Sequence, residues 1–402
     1  MNPLKELQKY GQTLDLGEYK NQVEERLKSW KKQHFSRRLW SKDPSLWFPE
    51  PKPEITDRLG WLVLPELKHE QLEDLTLFAK KVKDEGISHV VLLGMGGSSL
   101  APDVFQKTFG NASGYPELIV LDSTHPSAVL SAEGKLNFRR TLFLVSSKSG
   151  TTLETLSLFR YFWKQVSRVK ENPGHYFVAI TDPGTPLKQL AQERGFRMVF
   201  EANPDVGGRY SAFTNFGLVS AALIGMDIHR LLDRAWIASE NCALYISEDK
   251  ASGIILGAAL SEVAKDRDKL TFIASPSIRD FPDWLEQLIA ESTGKDGRGI
   301  LPVVNEPFAL PEEYGQDRFF VFLTLEGDDT RGIGERMSAL EKAGHPMVRI
   351  TLKEKFDLGR EIFSWEVAVA SAGSGLGIHP FNQPDVQLAK DFTRMAMEKG
   401  SK

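Results

Sequence analysis

TLFLVSSKSGTTLETLSLFRYFWKQV, residues 141–166, changes character twice in a short span. It opens on a β-prone run, TLFLV, and closes on ETLSLFRYFWKQV, whose apolar side chains recur at the spacing of one helix face. Across VSSKSGTTLET, residues 145–155, three serines and three threonines crowd the strand-to-helix junction. A Ser/Thr helix cap accounts for one or two hydroxyls, not for six. The same succession of short β-prone and longer amphipathic runs extends outward. HVVLLG precedes a helix from Leu100, ELIVLD and YFVAITD are further strands, and PLKQLAQERG follows as a helix. After Gly225 the pattern restarts with a helical stretch around His229 to Lys265, strands LTFIAS, FFVFLTLE and PMVRITL, and a helix ending near Gly344. Such alternation predicts parallel strands joined by crossover helices. The expected fold is α/β, with two doubly wound αβα sandwich domains at residues 61–225 and 226–402, the second ending in a C-terminal helix. Residues 1–60 are polar, basic at KSWKKQHFSRR and interrupted by prolines 44, 49, 51 and 53, which predicts an N-terminal helical arm and linker.

Composition narrows the function classes. A chain of 402 residues, 41% hydrophobic and 26% charged, suits two soluble globular domains. A net charge of −4 argues against a protein built to hold nucleic acid, and the basic run in the arm reads as a solvated helix face. No run of about 18 apolar residues occurs, and MNPLKELQKYGQTLDLG holds no apolar signal region, so a cytoplasmic location without membrane attachment is expected. Cys242, the single cysteine, allows no intramolecular disulfide and no cysteine-based zinc cluster, and reads as a buried inert thiol.

In open parallel sheets ligands sit beyond the carboxyl ends of the strands. Two loops there gather small and hydroxylated residues. VLLGMGGSSL, residues 91–100, places Gly94, Gly96, Gly97, Ser98 and Ser99 at a helix start, where N–H groups and hydroxyls approach an anion. A dinucleotide fingerprint would need glycine where Ser99 stands, which weakens a nicotinamide reading although Asp122 ends the next strand as a ribose-binding acid would. The second loop, Ser146 to Thr152, lacks the order of an ATP-binding P-loop and predicts a cup for one phosphate monoester. Downstream, DVGGRYSAFTNFG at 205–217 carries Arg209 behind two glycines. WLEQLIAESTGKDGRG at 284–299 forms an amphipathic helix that presents Gln287 and Glu291 together at i, i+4. A lone arginine or surface glutamate is ordinarily solvated or ion-paired. Their shared company gives these two another meaning.

Five segments in this order resemble the phosphoglucose isomerase family: GMGGSSL, SSKSGTT, GGRYS at 207–211, QLIAESTGK at 287–295 and HPFNQPDVQLAK at 379–390. RLWSKDPSLW at 38–47 further resembles the isomerase part of bacterial fused transaldolase/glucose-6-phosphate isomerase proteins. The resemblance implies two sugar-isomerase (SIS) domains. It also implies that Ser98, Ser146, Ser147, Lys148, Ser149, Thr151 and Thr152 surround a substrate phosphate, with Gly97 and Gly208 in the binding loops. Gln287 and Gln383 would contact the sugar, Arg209 would stabilise negative charge, Glu291 would be the base, and Lys390 matches an active-site lysine. The family's G-T-x-x-Q-H-S-F segment, whose histidine opens the sugar ring, is absent. His379, beside the C-terminal element, is the candidate for ring opening with Lys390 as helper; His345, between Gly344 and Pro346, reads as structural.

An aldose–ketose interconversion moves one proton between adjacent carbons and needs neither redox cofactor nor metal. A carboxylate must lift the C2 proton while a fixed cation stabilises the enediolate. The expected activity interconverts glucose 6-phosphate and fructose 6-phosphate. A dual phosphoglucose/phosphomannose isomerase, and a non-catalytic SIS-domain regulator that binds sugar phosphate, stay open beside it. The expected partners are a sugar-phosphate substrate and a second copy of the chain in a homodimer, with no nucleic acid and no membrane.

Overall fold

A computed structural model describes residues 7–66, 69–384, 388, 392–393 and 395. The chain starts with a short strand, β1 (Gln12–Asp15), and two helices, α1 (Lys20–Lys32) and α2 (Phe35–Trp40). Helix α3 (His69–Asp84) leads into β2 (His89–Leu93), α4 (Leu100–Phe109), β3 (Glu117–Leu121), α5 (Pro126–Glu133) and β4 (Thr141–Ser146). Then come α6 (Leu153–Ser167), β5 (Phe177–Thr181), α7 (Pro186–Glu193) and β6 (Met198–Glu201). Helices α8 (Asn215–Leu223), α9 (Ile228–Asn241) and α10 (Ser252–Val263) carry the chain to β7 (Lys269–Ala274), α11 (Phe281–Thr293) and β8 (Leu301–Val303). The sequence continues through β9 (Arg318–Leu325), α12 (Arg331–Lys342), β10 (Met347–Leu352) and α13 (Leu358–Leu376).

The fold is α/β with two doubly wound sheets. The first runs β3-β2-β4-β5-β6 and is parallel throughout. Strands β4 and β5 are buried at every residue, as expected of strands covered by helices on both faces. The strand order reverses between β2 and β4, and the loops leaving those two strands are the glycine loop and the hydroxyl loop. Ligand crevices of open sheets form at such reversals.

The second sheet runs β1-β10-β9-β7-β8, parallel except for β1. Its reversal lies between β7 and β9, where Ser277 donates to both carboxylate oxygens of Asp328 at 2.9 and 2.6 Å. Within residues 7–60, where a helical arm and linker was expected, the chain also forms a strand. This stretch is helical at α1 and α2, but β1 pairs antiparallel with β10, Gln12 opposite Ile350, and closes an edge of the second sheet. The exposed edge of β10 is satisfied by this strand.

Helix α13 is buried almost continuously from Leu358 to Gly373. Its apolar residues, among them Ile362, Phe363, Trp365 and Val367, are each worth about 1.5–3 kcal/mol on burial. Close approach to α10 depends on Gly257, where a Cβ would lie 2.6 Å from the Ala368 carbonyl oxygen. One apolar core is continuous across both sheets, from Leu92 and Leu144 to Phe272 and Val321. Among the described residues no helix is long and apolar enough to cross a membrane. Cys242 is buried, and burial pushes its thiol up to about 11, which leaves it unreactive at neutral pH.

Candidate active site

The hydroxyl loop starts where β4 ends. Ser146 and Ser147 are buried, whereas Ser149 and Thr151 face solvent. Thr152 precedes α6 but does not cap it; its hydroxyl meets that of Ser147 at 2.8 Å. Ser149 and Thr151 pair likewise at 2.8 Å. Hydroxyls that satisfy one another beside a helix N-terminus can turn towards an oxyanion without leaving a buried donor unpaired. Lys148 is committed elsewhere: its ammonium pairs with Asp182 and donates to the Pro204 carbonyl at 3.3 Å. Burial lowers its pKa, against the pull of Asp182.

Two further loops are locked onto this one. The Ser146 hydroxyl donates to the Ser98 carbonyl at 3.4 Å. Gly97 lies against the backbone of Gly208, so closely that a Cβ would stand 2.3 Å from the Gly208 carbonyl carbon and oxygen. Ser211 donates to the Gly97 carbonyl at 3.2 Å and strengthens the same junction. From the second sheet, Gln287 packs over Gly96, with its amide nitrogen 2.7 Å from where a Cβ would be.

Arg209 is the hub. It is 1% exposed, and its Nε donates to the Ser292 hydroxyl at 2.7 Å. Nη1 donates to Glu291 Oε2 at 3.3 Å, and Nη2 to the carbonyls of Pro380 at 2.6 Å and Asn382 at 3.2 Å. Burial lowers its pKa, partly offset by Tyr210 and Glu291, and the guanidinium stays charged. Glu291 is held at its other oxygen by Gln287 Nε2 at 2.9 Å, so the i, i+4 pair on α11 forms as its spacing predicts. Gln287 Oε1 and Asn382 Oδ1 are buried and have no partner. Unfilled acceptors at this density of donors suit a polyhydroxyl ligand. Among the described residues no three His, Cys, Asp or Glu side chains cluster as metal ligands would.

His379 is not placed to open a sugar ring. Its Nε2 donates to the Pro53 carbonyl at 2.8 Å, and its Nδ1 accepts from the backbone N–H groups of Phe381 at 3.2 Å and Asn382 at 3.3 Å. Both nitrogens are spent on backbone, and burial lowers the pKa and keeps the ring neutral. The ring instead shapes the 379–382 turn whose carbonyls receive Arg209. Gln383 follows that turn and is half-buried, while Lys390 lies outside the described residues. His345 is buried against Tyr314 and Phe320, as a structural histidine should be.

Sequence reasoning missed several members of the site. Ser292, Lys295 and Asn382 sat inside the quoted motifs without roles. The proline-rich linker also reaches the site: Pro53 holds His379, the Gly60 N–H donates to the Asp205 carbonyl at 3.0 Å, and Arg58 donates to the Pro204 carbonyl at 3.3 Å. No local signal announces these long-range contacts.

A model of the phosphoglucose isomerase family matches residues 77–299, more than half of the chain. Glucose-6-phosphate isomerase of Staphylococcus saprophyticus subsp. saprophyticus is 29% identical over 382 residues, covering 83% of this chain and 86% of that protein. The glucose-6-phosphate isomerase of Staphylococcus aureus is also 29% identical, over 388 residues and with the same coverage. A hypothetical protein of Thermus thermophilus superposes with a TM-score of 0.80 at 25% identity, covering 96% of this chain and 99% of that one. A glucose-6-phosphate isomerase from Chlamydia trachomatis shares the fold, with a TM-score of 0.82 at 17% identity over 99% of this chain and 91% of that one. The matched span takes in the glycine loop, the hydroxyl loop, Arg209 and the Gln287–Glu291 helix, and this chain belongs to the phosphoglucose isomerase family.

Proposed function

We propose that the protein interconverts glucose 6-phosphate and fructose 6-phosphate, a step of glycolysis and gluconeogenesis, through an enediol(ate) intermediate. The observation that carries this reading is the pair formed by Glu291 and the buried Arg209 at 3.3 Å, joined through Gly97 and Gly208 to the hydroxyl loop. The loop holds the phosphate, with Ser146, Ser147, Ser149, Thr151 and Thr152 as donors and Ser98 alongside. Gripping the phosphate supplies binding energy that orients the reacting carbons. Glu291 takes the C2 proton of the open-chain sugar and returns it at C1. Arg209 stabilises the charge that develops on oxygen, and its burial strengthens that interaction. Gln287 and Gln383 contact sugar hydroxyls. With both His379 nitrogens engaged, Lys390 is the remaining candidate for ring opening in this scheme.

Glu291→Gln keeps shape and hydrogen-bonding reach but removes the basicity. Isomerisation is expected to fall by about 10²–10⁴-fold while sugar-phosphate binding survives. In deuterium oxide the wild type should wash deuterium into the substrate, and the Gln variant should bind and exchange almost none. Wild-type exchange in the variant would assign the base elsewhere.

A further inference from the structure

We propose that Lys295 is a positioning residue for this isomerisation: its ammonium ties the end of the base-bearing helix to the turn that aims Arg209, and the charged form is the working form. The inference rests on the isomerase reading above. Lys295 follows α11, is 8% exposed and donates to the Ser292 carbonyl at 3.2 Å and to the His379 carbonyl. Ser292 adjoins Glu291, and its hydroxyl receives Arg209 Nε. The residues after His379, Pro380 and Asn382, receive Arg209 Nη2 through their carbonyls. Helix, lysine, turn and arginine therefore form a closed ring of contacts. Lys295 shares with Arg209 the work of linking α11 to the turn, and Arg209 also faces the substrate. Hydrogen bonds from an ammonium are roughly twice as strong as those from a neutral amine.

The surroundings make that charge precarious. Arg209 faces Lys295 from the GGRYS loop and opposes its charge; Glu291 on α11, Glu54 in the proline-rich linker and Asp296 in its own loop favour it. His379 across the turn is neutral. On the outer side Lys295 borders a cleft of about 690 Å³ shared with Lys265, Asp266, Asp268 and Arg298. Burial outweighs the favourable partners and pulls the ammonium down to about 7. The brace is charged below that value and loses its charge as pH rises through it.

The test measures kcat and KM for glucose 6-phosphate between about pH 6 and 9 on the full chain, for the wild type, Lys295→Met and Lys295→Arg, with melting temperatures alongside. Wild-type kcat/KM should decline above about pH 7. Lys295→Met should lower kcat at pH 6.5 by about 10²-fold, the scale of a misplaced reacting group, leave KM nearly unchanged and abolish the decline. Lys295→Arg should recover much of the rate and carry it to higher pH, because a guanidinium does not deprotonate in this range. A wild-type profile flat across the range, or a Met variant with wild-type kcat and the wild-type decline, overturns the inference. If the Met variant does not fold, the wild-type and Arg profiles decide. A wild type that binds the sugar phosphate without isomerising it would overturn the functional reading itself, an outcome distinct from an active enzyme indifferent to Lys295.

Discussion

Arg209 shows why a single residue type is demanded at one position. Its three nitrogens reach four acceptors in different directions, the Ser292 hydroxyl, the Glu291 carboxylate and two carbonyls of the 379–382 turn. A planar fork satisfies them together, and an ammonium on a flexible stem does not. Arg209→Lys should therefore lower kcat by about 10²–10³-fold with a much smaller change in KM, read from steady-state kinetics in both directions. Wild-type kcat in that variant would remove Arg209 from the chemistry. Tyr210 beside it is pushed up to about 12 by burial, so at neutral pH it remains a neutral neighbour of Ser292 at 3.4 Å.

At the scale of elements, the site is a contact between loops. The hydroxyl loop, the glycine loop and the GGRYS loop leave different strands of the first sheet, and α11 reaches over from the second. What sets their spacing is the absence of side chains at Gly97 and Gly96. Gly97→Ala should force its loop away from Gly208, destabilise the protein by about 1–3 kcal/mol and raise KM for the sugar phosphate. Gly208→Ala supplies the control for stability, since the nearest atom to its Cβ, Gly97 Cα, is 3.9 Å away. Equal melting temperatures for the two alanine variants would mean that the Gly97–Gly208 contact yields to a methyl group without cost.

At the scale of the whole molecule, α13 carries an unusual group. Glu366 is buried with neither carboxylate oxygen partnered, and burial raises its pKa well above the ordinary value. The folded protein keeps a proton there that the unfolded chain releases above its ordinary carboxyl pKa. Stability from this group is fully present below about 4.5 and is lost as pH rises through the folded value. Replacing it by an apolar residue of similar size, Glu366→Met, should raise the melting temperature more at pH 7.5 than at pH 4.5. The same gain at both values would show that Glu366 is not held protonated.

Much of the architecture was legible because it depends on neighbours in sequence. Apolar runs of strand length alternating with amphipathic runs predict parallel sheets, and both sheets form. The Gln287–Glu291 pair follows from helical geometry alone. A C-terminal helix was expected, but the bounds of α13 were not legible, because a helix buried on nearly every side, Glu361 and Glu366 included, shows no clean apolar period. Strand β1 is four residues long and exists only through its pairing with β10. His379 drew attention by standing beside an active-site motif, yet a histidine's chemistry depends on whether its nitrogens are free. Tertiary structure decided that, by bringing the Pro53 carbonyl to one nitrogen and folding a tight turn over the other. It also assigned Lys295 its place, since the carbonyl that receives its ammonium belongs to a turn far along the chain. Sequence determined which groups the protein carries and which local elements hold them. Folding decided which hydrogen bonds they had left to offer, because that capacity is consumed by whatever backbone the distant parts of the chain bring within reach.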